Sequence, residues 1–176
     1  MGRSDVTDEL SAPLVEYVFP RERAMVVGVG VGVAIGIGNA SLGVLFPSWP
    51  ATFALLVGAL AFVLLLHEGL HGLAGKLFGY KPLFGVEPPL VYTTFNERIR
   101  RTHLLVIALA PLVVLDVVFV VAYALAPFRI FWNLCFAVNT IGAIGDCWIA
   151  RQLVRHDSDT WFQDTKSGVE AWVSRT

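Results

Sequence analysis

Charge is scarce in this chain. Of its 176 residues only 15% are Asp, Glu, Lys or Arg, where a soluble domain carries about 25%. Hydrophobic residues make up 56% and the mean hydropathy is +0.67. That composition excludes a disordered chain and exceeds what a soluble globule of this size has to bury. Net charge is nearly absent too, at −1, so no overall field draws the chain to nucleic acid. Cysteine is limited to Cys135 and Cys147, which excludes a disulfide framework. On one helix the two would lie about 18 Å apart, so both read as small buried apolar side chains. The first residues lack the shape of a secretory signal, because Asp5, Asp8 and Glu9 come before any apolar run.

What is abundant is apolar sequence, in four runs near the length of about 20 residues that spans a bilayer. They predict an all-α polytopic membrane protein with spans at about 24–46, 51–78, 102–125 and 130–153. Residues 1–23 and 154–176 are polar segments flanking that membrane domain. Gly28, Gly32 and Gly36 recur every fourth residue in the first span, a smooth face for a neighbouring helix. Gly69, Gly72, Gly75 and Gly79 read the same way in the second. Pro47-Ser48-Trp49-Pro50 marks a turn with an interfacial tryptophan. Pro82, Pro88 and Pro89 keep the long connection 79–101 from being one helix. Its Leu90–Phe95 stretch predicts a strand or small β-hairpin between spans 2 and 3, and a further hairpin turning at Asp164–Gly168 fits the tail. With both termini cytoplasmic, twelve of the thirteen Lys and Arg residues lie inside and only Arg129 outside. The positive-inside rule selects that orientation.

The sharpest local feature is His67-Glu68-Gly69-Leu70-His71. Histidines at i and i+4 share one helix face and can bind one metal, while the glutamate between them serves as general base toward water. A bound zinc lowers the pKa of a water toward about 7 and leaves one coordination position open for chemistry. The motif follows sixteen residues without a charge, and a charge at the centre of a span costs roughly 2.5–3.5 kcal/mol. With Lys76 marking the membrane surface, His67 lies about 13 Å deeper along the helix. That is too deep for a histidine to reach the headgroups.

A hydrolytic zinc site takes three protein ligands, so one must come from elsewhere. Asp146 lies about 7–8 Å inward from Arg151, in the same leaflet as the histidines, and we take it as the third ligand. Asp116, Glu87 and His103 stand as alternatives, and His156 is the fourth histidine. Asp116 lies about 22 Å in from Arg101, nearer the opposite leaflet, which favours a structural hydrogen bond to another span. Asn139 is two turns before Asp146 on the same face and is expected to hydrogen-bond an oxyanion or a substrate backbone.

The HEGLHG of span 2, Leu109-Ala110-Pro111 of span 3 and Asn139 to Gly145-Asp146 of span 4 resemble the family described as "Putative zincin peptidase". That family is a distant relative of the site-2 intramembrane metalloproteases. The resemblance covers about residues 55–175. It implies zinc as cofactor, His67, His71 and Asp146 as ligands, and Glu68 as catalytic acid/base. It also implies that a strand within Val86–Phe95 offers an edge to an unwound substrate. Gly142 and Cys147 depart from the Asn-x-x-Pro and Asp-Gly pattern of site-2 proteases. The expected function is peptide-bond hydrolysis within or near the membrane, on a membrane protein or peptide substrate, in a prokaryotic plasma membrane. Another zinc-dependent membrane hydrolase, or a metal-binding scaffold without activity, is the alternative.

Overall fold

A computed structural model describes residues 13–41, 48–87, 90–165 and 168–172. In chain order its elements are β1 (Val15–Val18), α1 (Arg21–Ser41), α2 (Trp49–Leu77), β2 (Pro82–Glu87), β3 (Leu90–Phe95) and β4 (Ile99–Arg100). Then follow α3 (Arg101–Leu125), α4 (Arg129–Gly142), α5 (Ile144–Leu153), β5 (Trp161–Thr165) and β6 (Gly168–Trp172). Four stretches, Arg21–Asn39, Trp49–Leu77, Arg101–Leu125 and Arg129–Leu153, are long and apolar enough to cross a membrane. Their outward residues, among them Leu65, Val113, Val117 and Leu125, stand exposed, as expected of side chains that face lipid. The turn expected at Pro47–Pro50 falls partly outside the described residues; α2 begins at Trp49 with Pro50 in its first turn, where a missing N–H costs nothing.

The fourth span is interrupted once, although the Ala143 N–H still bonds to Asn139 and the Cys147 N–H to Ala143. It breaks at Ala143, between α4 and α5, where the backbone turns to φ −70° and ψ 2°. Asp146 thereby falls in the first turn of α5, and a helix N-terminus favours negative charge. The third span instead runs through Pro111 as one helix, although an interior proline forfeits the bond to the carbonyl four residues back. That carbonyl belongs to Ile107.

The all-α expectation needs correction, because two antiparallel sheets accompany the helices. The hairpin between spans 2 and 3 is present, with β2 paired to β3 from Pro82↔Phe95 to Glu87↔Leu90. The tail hairpin β5–β6 is present as well, with Trp161 opposite Trp172. Around it β1 and β4 complete a four-stranded sheet in the order β1-β6-β5-β4. β4 has two residues, too few to display a two-residue period, and β1 only four, which alternate between half-buried and exposed. They are strands because β6 and β5 lie beside them, with Val15 opposite Ala171 and Ile99 opposite Phe162.

Two apolar cores result. One joins Ala59, Val63, Leu115, Phe119 and Cys135 between α2, α3 and α4. The other packs Phe162, Val169 and Ala171 of the sheet against Leu104, Ile107 and Leu153 of α3 and α5. The Arg101 side chain reinforces the second by donating to the Leu153 carbonyl at 3.0 Å. Cys135 is buried as expected, but Cys147 is exposed.

The glycines divide their labour. Gly28 and Gly32 face Ile141 and Ile144, so α1 rests on α4 and α5. A reciprocal amide pair, Asn39 with Asn133 at 2.7 and 2.8 Å, clips α1 to α4. Gly72 and Gly75 serve the hairpin rather than a helix: a Cβ at either would run into the ring of Phe84 or Phe95. Gly79 adopts φ +87° and ends α2, with Tyr80 N–H donating to Gly75 and Gly79 N–H to Lys76. That is the left-handed helix stop glycine permits.

Candidate metal centre

Two elements bring the site together. The i, i+4 spacing on α2 stacks His67 and His71 with ring centroids 4.9 Å apart. The first turn of α5 brings Asp146 to both: its Oδ2 lies 3.0 Å from His67 Nε2 and its Oδ1 3.4 Å from His71 Nε2. One donor atom from each residue falls within 4.8 Å of the others. Among the described residues this is the one such group of His, Cys, Asp and Glu. The side chains are largely buried, with 11%, 12% and 16% of their surface accessible.

The outer partners decide what this cluster can bind. His71 Nδ1 lies 2.8 Å from the Ile107 carbonyl, which can only accept, so Nδ1 carries a hydrogen. The Asn139 amide nitrogen donates to the Pro111 carbonyl at 3.2 Å and to Asp116 Oδ1 at 2.8 Å. Its Oδ1 therefore faces His67 Nδ1, at 2.9 Å, and that nitrogen too carries a hydrogen. In neutral imidazoles both Nε2 atoms then present lone pairs. Two lone pairs and a carboxylate converging at about 3 Å are a set of acceptors that a shared proton or a bound cation can bridge. Two histidines and one carboxylate, with each imidazole anchored through its other nitrogen, is a donor set that fits zinc.

Glu68 is half-buried between the histidines, near enough to His71 for its charge to be felt. Its own carbonyl accepts from the Thr93 hydroxyl at 2.9 Å, which pins β3 beside the motif. Asn139 has a different task from the one expected. It is fully buried and both its amide hydrogens are committed, so nothing is left to donate to an oxyanion. Asp116 is also nearer the site than its depth suggested. His67 lies one turn deeper than His71 and Asn139 two turns deeper than Asp146, so the chain of contacts runs inward to meet it. The alternative histidines are held elsewhere: His103 pairs with the Tyr80 hydroxyl at 2.9 Å and His156 with that of Tyr17 at 2.8 Å. The Glu87 side chain lies outside the described residues.

One residue escaped the sequence reading. Asp164 of β5 lines a cavity of about 60 Å³ together with His71, Asp146, Thr93, Ile107 and Ile149. Only the return of the tail to the membrane helices puts it there, and no local motif marks it. Burial pushes its carboxyl up to about 6, partly offset by a hydrogen bond from Thr94. The unfolded value is near 3.9, so ionisation opposes folding, and the metal-free protein loses stability as pH rises from about 4 to 6. At about 1.4 kcal/mol per unit the loss amounts to roughly 3 kcal/mol. Asp164→Asn should flatten that part of the profile, measured by thermal unfolding of metal-free protein between these pH values. Equal slopes in the two proteins would refute it.

The family model described as "Putative zincin peptidase" matches residues 60–161, and the chain belongs to that family. The match includes His67, Glu68, His71, Asp116, Asn139 and Asp146, and stops before Asp164. A curated relative, the "Uncharacterized 24.7 kDa protein in gap 5'region" of Pyrococcus woesei, is 32% identical over 109 residues. That alignment covers 59% of this chain and 48% of the relative, so the chain spans about half the relative's length. No solved structure matches the chain.

Proposed function

We infer that this member of the zincin peptidase family is a zinc-dependent intramembrane peptidase that cuts peptide bonds within or near the bilayer. One observation carries the reading. His67, His71 and Asp146 converge beside Glu68 inside helices apolar enough to span a membrane, where uncompensated polar groups are costly. The chemistry supplied by a bound zinc is Lewis acidity, toward the scissile carbonyl and toward water. His67 and His71 would hold it through Nε2 and Asp146 through its carboxylate. Glu68, next to His67 in the motif, would take a proton from the attacking water and return it to the leaving amine, the usual work of a general acid/base carboxylate.

The substrate must leave its own helix before its amide is accessible. The β2–β3 hairpin supports that step. It forms a separate two-stranded sheet, with no third strand among the described residues, so it offers backbone groups to an extended peptide. The Thr93 bond to Glu68 holds its inner strand at the catalytic turn. The twelve-to-one distribution of Lys and Arg favours an orientation with both termini and the site opening to the cytoplasm, and a four-span plan fits a prokaryotic plasma membrane.

The test is cleavage of a single-span reporter by the purified protein in vesicles. Chelation should abolish cleavage and added zinc restore it. Hydrolysis of lipid esters or small amides with the reporter left intact would assign the site to a different hydrolase. Stoichiometric zinc with no hydrolysis of any of these would leave a metal-binding scaffold.

A further inference from the structure

α3 gives none of the three converging donors, yet it reaches both imidazoles, His71 directly and His67 through Asn139. Toward His67 the path is Asp116, Asn139, His67. Asp116 Oδ1 accepts from the Asn139 amide at 2.8 Å, and Asn139 Oδ1 lies 2.9 Å from His67 Nδ1. The Thr140 hydroxyl steadies the carboxylate, sharing its hydrogen between Asp116 Oδ2 at 3.0 Å and the Phe136 carbonyl at 2.9 Å. Toward His71 the path is the Ile107 carbonyl, 2.8 Å from Nδ1. Ile107 stands four residues before Pro111, and any other residue at 111 would aim a backbone N–H at that carbonyl. Proline leaves it to the histidine.

We propose that Asp116 and Pro111 are positioning residues of the metal centre: acting through Asn139 and the Ile107 carbonyl, they set the orientation of His67 and His71. The proposal rests on the zinc reading. Asp116 Oδ1, at 2.8 Å, is the shorter of two acceptors that tell the ends of the Asn139 amide apart, the other being the Pro111 carbonyl at 3.2 Å. Without Asp116 only the longer bond opposes turning of the amide, which would set its NH2 against the His67 Nδ1 hydrogen, donor against donor. The imidazole is no longer held with Nε2 toward Asp146. An intramembrane carboxyl that gives no ligand, and a proline inside a spanning helix, are otherwise two unexplained costs in α3. Both fall at the positions that reach the site.

A bland alternative is that Asp116 only fastens α3 to α4. Zinc affinity separates the two, because outer partners of metal ligands are typically worth about 10- to 100-fold in affinity. Purified full-length protein is titrated with zinc against a chromophoric chelator, and its cobalt-loaded form is recorded for ligand-field absorption. Asp116→Ala should bind zinc about 10- to 100-fold more weakly and shift the cobalt bands. Asp116→Asn, which keeps an acceptor for the Asn139 amide, should bind close to wild type. Pro111→Ala should weaken zinc while leaving the protein as stable or more so, a combination that a purely structural role does not produce. Leu115→Ala, in the neighbouring core, should lower the unfolding temperature and leave zinc affinity unchanged. Wild-type affinity in Asp116→Ala, or equal weakening in Leu115→Ala, would overturn the role of Asp116. Wild-type affinity in Pro111→Ala would overturn that of Pro111. A wild-type protein that binds no zinc would instead bring down the metal reading itself, and this proposal with it.

Discussion

Glu68→Gln should keep its zinc and lose about 10²- to 10⁴-fold in the rate of peptide hydrolysis, the usual worth of a positioned acid/base. Glutamine matches glutamate in shape, and its backbone carbonyl still accepts from Thr93, so the hairpin stays docked. The side chain of residue 68 is not among the three groups that converge on the cation position, so metal content should not change. What is lost is the ability to take a proton from water and pass it on. The measurement pairs zinc stoichiometry with turnover of the single-span reporter. Undiminished turnover would remove Glu68 from the mechanism. Parallel loss of zinc and turnover would mean that Glu68 holds the metal rather than the proton.

His67→Ala should take bound zinc from stoichiometric to near none and lower turnover to that of chelated protein. It removes one of three converging donors and leaves the Asn139 Oδ1 without its partner in a fully buried place. The loss also shows in stability. A ligand bound only by the folded state adds about 2.7 kcal/mol at a hundred times its Kd. Zinc should therefore raise the unfolding temperature of the wild type and not of the variant. His103→Ala is the matched control, because its imidazole is engaged by Tyr80 and by stacking on Phe78 at 4.3 Å. If His103→Ala lost zinc and His67→Ala kept it, the ligand set would have to be redrawn.

Local features of this fold were legible because they survive any tertiary arrangement. Histidines four apart on a helix share a face whatever the helix packs against, so the His67 and His71 pair could be read from spacing alone. Asp146 could be placed beside them from depth along its span. The task of Asn139 could not, because an amide offers both donors and acceptors, and only α3 shows which are used. Depth along its span pointed to a hydrogen bond from Asp116 to another span, and Asn139 and Thr140 of α4 provide it, but depth along one axis could not show that Asn139 carries that contact on to His67. The four-stranded sheet lay further out of reach. Val15 pairs with Ala171, across nearly the whole chain, and a two-residue strand such as β4 has no pattern of its own. Asp164 was invisible for the same reason, since its position depends on that closure.

The break at Ala143 has a mechanical side. α4 belongs to the membrane core around Cys135 and Phe119, whereas α5 delivers Leu153 to the core beneath the sheet. Val63, one turn before His67 on α2, belongs to the first core, while α5, which carries Asp146, joins the second. An ion gripped by His67, His71 and Asp146 is a rivet across the seam between the membrane bundle and the peripheral sheet. Such a joint is reciprocal: whatever free energy the ion lends to closing the seam, a closed seam lends back to holding the ion. A peptide that pried the two bodies apart would loosen the metal by the same amount, so a substrate that enters without parting them keeps the catalyst intact.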